Sequence, residues 1–231
     1  MTARESSASY FAELSRDLLG APQEEPTTDA VVRRALEVVR ASQHASVTMR
    51  RSAATQTIAS TSDLATACDR LQYELGEGPC VDAALEQEPF VAGDLRTDRR
   101  WPTWGPRVAD LGVHSVLSVQ LSTPSEVLGA LNLYAERRQA FDRDDVDAAL
   151  IYTTHAANAL GTARLVTGLQ TAMKSRHLIG VAQGILMRTY DLDLDRSFEL
   201  LRRYSSHTNT KLRDVARHVV EHGRLPTTSS N

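Results

Sequence analysis

Cysteine is nearly absent: Cys68 and Cys80 are the only two in 231 residues. Two thiols make no disulfide framework, so a reducing cytoplasm is the expected compartment. No apolar run approaches the ~20 residues needed to span a bilayer, and no membrane contact is expected. The opening MTARESSASYFAELSRDLL carries charges and serines but no apolar signal-peptide core. Proline is missing between Phe141 and Pro226.

What is present is uneven in charge. Leu165 to Leu225 holds ten Lys/Arg against six Asp/Glu, whereas the rest of the chain holds sixteen against twenty-three. A basic segment on an acidic chain points to a polyanion partner for that segment alone.

The hydropathy pattern changes along the chain in the same way. A short helix is expected within 1–26, with Phe11, Leu14 and Leu18 on one face, and GAPQEEPTT reads as a breaker and linker. Val31, Ala35, Val38 and Val39 predict a helix over 29–42. HASVTMR and TQTIAST read as a hairpin around RSAA. DLATACDRLQYEL reads as a helix capped by Asp63 and closed at Gly76, and PFVAGDL as a short strand. VHSVLSVQLST and VLGALNLYA alternate apolar and polar residues, which predicts an antiparallel pair with one buried face. After Phe141 the pattern turns helical. Asp142 and Asp145 resemble a capping pair, and the stripe Val146, Ala149, Leu150, Thr153, Ala157, Leu160, Leu165 and Leu169 predicts a long connector, broken near Gly161 or Gly168. Such a stripe is a natural dimer seam. Three further helices are expected: Leu165–Tyr190 with Leu178, Val181, Ile185 and Leu186 inward; a second capped by Asp193 and carrying Phe198, Leu201 and Tyr204; and, after a turn at SSHTN, a third ending at Gly223.

The stretch SRHLIGVAQGILM, then Phe198 with LLRRYS, then TNTKLRDVA, closely resembles the ANTAR domain, an RNA-binding output module of bacterial antitermination regulators. The resemblance implies a dimer that binds paired stem-loops in nascent leader RNA and so keeps a terminator from forming, touching RNA polymerase only indirectly. Gln183 stands where that family commonly has lysine. LQYELGEGPCVDA, DLRTDRRWPTWGP, LGVHSVLSVQL and LGALNLYAERRQAFD resemble a GAF sensor domain of the kind found beside ANTAR modules in actinobacteria. That resemblance implies a central antiparallel sheet and a possible small-molecule ligand. Of a cyclic-nucleotide motif, Asn132, Phe141 and Asp145 remain, but Leu133 and Val146 replace its Lys and Glu, which counts against such ligands.

The expected architecture is α+β: a GAF-like antiparallel sheet with flanking helices, then a long helical connector and an all-α three-helix ANTAR bundle. The expected limits are 1–26 for the N-terminal helix and linker, 27–163 for the sensor, 164–225 for the RNA-binding domain and 226–231 for a disordered tail. RNA binding needs charge for phosphate and side chains that read splayed bases; Gln183, Arg188, Arg202, Ser206 and Lys211 are the candidates. The candidate sensor pocket is Cys80, Asp94, Arg100, Trp101 and Trp104. Cys80 opens a helix after a Gly-rich turn, a place that lowers a thiol pKa. This layout also resembles the free methionine-(R)-sulfoxide reductases, but those rely on a further cysteine and none follows Cys80. HVVEH (His218 to His222) and DLDLD (Asp191, Asp193, Asp195) imitate metal-binding strings without the remaining ligands. No catalytic constellation appears, no metal is expected and no cofactor is indicated. The chain reads as a cytoplasmic, homodimeric, signal-responsive antitermination regulator rather than an enzyme; the alternatives are a GAF-type redox enzyme or thiol sensor, and a DNA-binding regulator.

Overall fold

The computed structural model describes Glu13, Arg16, Leu18 and Gly20, then residues 24–51, 54–83 and 88–226. The expected N-terminal helix lies mostly outside the described residues, Phe11 and Leu14 included, and so do residues 227–231 of the expected tail. Two compact units meet at Val166 and Thr167.

In the first unit, helix α1 spans Glu24–Val38 and starts ahead of the expected Asp29, inside the stretch read as a linker. Pro26 stands in its first turn, where a missing N–H costs no helical bond. Strands β1 (His44–Arg51) and β2 (Ala54–Ser60) form the hairpin. Helix α2 (Asp63–Leu75) is capped by Ser62, whose Oγ accepts from the Ala65 N–H, rather than by Asp63, which becomes the first helical residue. Its charge suits that end of the helix dipole. Gly76 closes the helix at φ 62°, left-handed backbone that glycine adopts without strain. The five-residue α3 (Pro79–Ala83), β3 (Phe90–Ala92), α4 (Trp104–Asp110), β4 (Ser115–Ser122) and β5 (Val127–Ala135) follow.

All strand pairs are antiparallel, in the order β2-β1-β5-β4-β3. The register places Ser46 and Ser118 on either side of Asn132, and Val47 and Val119 on either side of Leu131. The sequence alternation is therefore real, but its polar face is not left to solvent. Val47, Met49, Leu117, Val119, Leu131 and Leu133 pack with α1 and the long helix described next. On the other face, Ala65, Cys68, Trp101, Trp104 and Val108 pack with Val116 and Tyr134. Both β4 and β5 are buried along nearly their whole length, which corrects the expectation of one wet face.

Helix α5 runs unbroken from Arg143 to Tyr190, 48 residues. Asp142 and Asp145 do cap its start, each N–H bonding the other's carboxylate at 3.1 and 3.0 Å. The break expected at Gly161 or Gly168 does not occur, and the helix expected to begin at Leu165 is part of α5. One glycine costs a helix only about 1 kcal/mol, too little to stop it without a proline or cap. A Cβ at Gly161 would lie 3.2 Å from the Thr123 methyl, so glycine permits close packing there. Ala149, Thr153, Ala157 and Leu160 of the stripe are buried, whereas Leu165, Leu169 and Met173 are 64, 57 and 70% exposed.

In the second unit, the rest of α5 packs with α6 (Leu194–His207) and α7 (Leu212–His222) around Ala182, Leu186, Leu201, Val215, Ala216 and Val219. Asp193 caps α6, accepting from the Arg196 N–H at 2.7 Å, and Gly223 ends α7 at φ 71°. The turn expected at SSHTN shortens to Thr208–Thr210, because α6 continues through His207.

Candidate sensor site and nucleic-acid interface

Asp69 and Gln72 lie one turn apart on α2 and face the polar side of the sheet. Both are fully buried. Asp69 Oδ1 accepts from the Tyr134 hydroxyl at 2.6 Å and from Asn132 Nδ2 at 3.0 Å, while Oδ2 accepts from the Thr57 hydroxyl at 2.9 Å. Ser118 donates to Asn132 Oδ1 at 2.8 Å. Gln72 donates to Tyr134 Oη at 3.1 Å and accepts the Cys80 backbone N–H at 2.7 Å. Cys80 Sγ lies 2.8 Å from Thr48 Oγ, and Gln120 donates to the Ala83 carbonyl. A closed hydrogen-bonded layer thus joins α2, α3 and four strands.

Burial dominates its electrostatics. Asp69 is pushed up to about 6 by burial, against the pull of the hydrogen bonds it receives. Cys80 is pushed up to about 12 by burial and by the neighbouring Asp69 charge, and Cys68 likewise. The lowered thiol pKa that a helix N-terminus can give is not found at Cys80. The helix it opens has five residues, and the thiol faces the sheet instead of solvent.

The tryptophans expected to line a pocket are buried, with both indole N–H groups bonded. Trp101 donates to Asp82 at 2.7 Å and Trp104 to the Cys68 carbonyl at 3.0 Å; their rings meet edge to face at 5.9 Å. Glu77 accepts the Thr103 and Trp104 N–H groups and so fixes the start of α4. Arg100 sits at the surface, 4.4 Å over the Trp101 ring and paired with Asp98 at 2.6 Å. Asp94 accepts the Arg96 N–H and lies 3.5 Å from Arg138. Of the five expected pocket residues, Cys80, Trp101 and Trp104 are interior, while Asp94 is half-buried and Arg100 exposed. The sequence reading missed Asp69, Gln72, Thr57 and Tyr134. Their signal was the polar half of the strand alternation, together with polar residues at i, i+3 on the α2 face that also carries Ala65.

On the second unit, Arg188, Arg202, Ser206 and Lys211 are exposed and Gln183 is half-buried. Gln183 donates to the Leu194 carbonyl at 3.1 Å, joining α5 to the start of α6. Arg202 forms a two-pronged pair with Glu199, at 3.0 and 2.8 Å. Both side chains are exposed, so solvent and salt screen the pair. Lys211 stands just before α7. Phe198 is 37% exposed, and Leu194 59%. Ser197, Leu201 and Tyr204 hold the inward stripe instead, and Phe198 is turned ~100° from Ser197. Leu194, Phe198, Arg202 and Ser206 therefore follow at i+4 intervals along one outer flank of α6. Val181 is 40% exposed for the same reason, Ala182 taking the inward place.

Comparison with known proteins agrees with this division. The GAF domain family matches residues 23–161, and the ANTAR domain matches residues 167–220. No curated protein matches the chain. Among solved structures, it is similar to the GAF domain of a phosphoenolpyruvate-protein phosphotransferase from Coxiella burnetii, at 16% identity and TM-score 0.54, covering 71% of this chain and 98% of that one. A free methionine-R-sulfoxide reductase from Neisseria meningitidis is similar at 11% identity and TM-score 0.53, covering 67% and 87%. A bacteriophytochrome from R. palustris is similar at 10% and 0.59, covering 89% of this chain and 47% of that one. At these identities the likeness is one of fold.

Proposed function

Because this chain belongs to the GAF domain family and carries an ANTAR domain, we propose that it is a signal-responsive antitermination regulator that binds paired stem-loops in leader RNA. The observation that carries the reading is the outer flank of α6, where apolar Leu194 and Phe198 continue into Arg202 and Ser206, in a unit of net positive charge. Splayed loop bases stack on exposed aromatic side chains, and Arg and Lys neutralise phosphate. Arg188 and Lys211 extend the charged surface, and Gln183 presents its carbonyl oxygen while its amide N–H holds Leu194. Two copies pair through Leu165, Leu169 and Met173, an apolar strip too exposed for a lone helix. The sensor unit takes a signal, a small molecule among the possible kinds, and biases the pairing of α5. The protein is cytoplasmic and not an enzyme. Among the described residues no helix is long and apolar enough to cross a membrane, and both thiols beside the polar layer are held protonated.

The test is filter binding to a tandem stem-loop RNA, with single-loop, loop-scrambled and duplex DNA competitors across a salt series. Binding that needs both loops and resists duplex DNA is expected, with Arg188→Ala and Lys211→Ala each lowering affinity and flattening the salt slope by about 1. Equal binding to every nucleic acid refutes the proposal.

A further inference from the structure

Among the described residues, the polar layer contains one charge with no counter-charge. Asp69 is fully buried, and the groups that meet it are neutral on every side: Thr57 from β2, Ser46 from β1, Asn132 and Tyr134 from β5. The titratable groups around it are the acids Cys68 and Tyr73 of α2, Cys80 of α3 and Tyr134 itself; among the described residues no Lys, Arg or His is one of its partners. Burying a carboxylate away from any cation is costly. An asparagine would serve a purely structural network without that cost. What an aspartate adds is titration.

The hydrogen bonds also show where a proton would go. Oδ1 accepts from two donors, Tyr134 and Asn132, and Oδ2 accepts from the Thr57 hydroxyl, with the Ser46 hydroxyl a further neighbour of the carboxyl. Thr57 Oγ lies 3.1 Å from the hydroxyl of Tyr73, and either can donate. A proton on Oδ2 is accommodated by rotating one hydroxyl: Thr57 stops donating to Asp69, accepts from it, and donates to Tyr73. Thr57 and Tyr73 are both half-buried, so the pair leads from the buried oxygen towards the surface at the edge strand β2. We propose that Asp69 is a proton-binding site within the sensor unit, protonated on Oδ2 in mildly acidic conditions, with the Thr57–Tyr73 pair reversing its hydrogen bond as the proton arrives. The reaction forms one O–H bond with a solvent proton and neutralises the buried charge. It changes how β2 is held to α2, the helix that also positions Gln72 against Cys80.

The sign follows from burial. The folded protein holds this proton more tightly than the unfolded chain, where the group titrates at 3.8. The stabilisation from protonation is therefore complete below that value and is lost as pH rises through about 6. Asp69→Asn mimics the protonated state: its oxygen keeps the Tyr134 and Asn132 donors, and its NH2 donates to a rotated Thr57.

The experiment is 13C NMR of the full chain labelled at aspartate carboxyl carbons, titrated from about pH 4.5 to about pH 8. The Asp69 resonance is the one missing from Asp69→Asn. A midpoint near 6 is expected, and in Thr57→Val, which deprives the anion of its Oδ2 donor, the midpoint moves up. In melting curves, Asp69→Asn should exceed the native protein by a margin that opens as pH rises through 6 and stays level above it. A resonance that stays ionised to pH 4.5, or a margin independent of pH, overturns the proposal. If Asp69→Asn does not fold, Thr57→Val decides: an unmoved midpoint overturns it equally.

Discussion

Gln72 ties three elements with one side chain, and Gln72→Ala measures what that is worth. Its Oε1 accepts the Cys80 N–H at 2.7 Å, and its Nε2 donates to Tyr134 Oη at 3.1 Å. Alanine leaves the buried Cys80 N–H without this acceptor, a loss of about 1–3 kcal/mol. Tyr134 suffers less, because its hydroxyl still donates to Asp69 at 2.6 Å. The missing atoms leave a void of roughly 50 Å³, which adds about 1 kcal/mol at ~24 cal/mol per Å³. The expected total is about 2–4 kcal/mol, a large share of the 5–15 kcal/mol typical of a domain. Urea unfolding followed by tryptophan fluorescence isolates the effect. Both tryptophans of the chain, Trp101 and Trp104, are buried in the first unit, so the second unit's unfolding is silent. The midpoint should fall with an unchanged slope. An unchanged midpoint would refute the reasoning, since it would mean that the bonds to Cys80 and Tyr134 add nothing beyond what water supplies.

Two further outcomes follow from the same core. A Cβ at Gly129 would run into the Thr48 carbonyl oxygen, where β1 shifts register, so Gly129→Ala must part β1 from β5; soluble yield and melting temperature should collapse, whereas Gly168→Ala, with open space around its Cβ, should be neutral or slightly stabilising. Both thiols, pushed up to about 12 by burial, should resist iodoacetamide at about pH 8 in the folded chain and react fully in urea, as counted by mass spectrometry; modification of folded Cys80 would contradict the assignment of that thiol as inert.

Features set by local chemistry were legible in the sequence. The Asp193 cap, the Asp142–Asp145 pair, the Gly76 and Gly223 terminators and the β4–β5 pair depend on a few neighbouring residues, and each stands in the structure where its motif does. Both domain types were legible as well, through motifs that span whole elements. Where two local signals competed, the reading went astray. Ser62 and Asp63 are both good caps, and Val181 and Ala182 both border the inward stripe of α5, where the smaller residue took the buried place.

The sequence by itself determined the periodicities, the caps, the charge split between the units and the family to which each belongs. Only the tertiary structure decided what covers the polar face of the sheet. Alternation says that two faces differ, not that both are buried. Asp69 meets Asn132 and Tyr134 across 63 and 65 residues. No local pattern encodes that meeting. It arises because helices α2 to α4 close over one face while α1 and α5 close over the other, which removes water from a carboxylate that no local signal marks as buried.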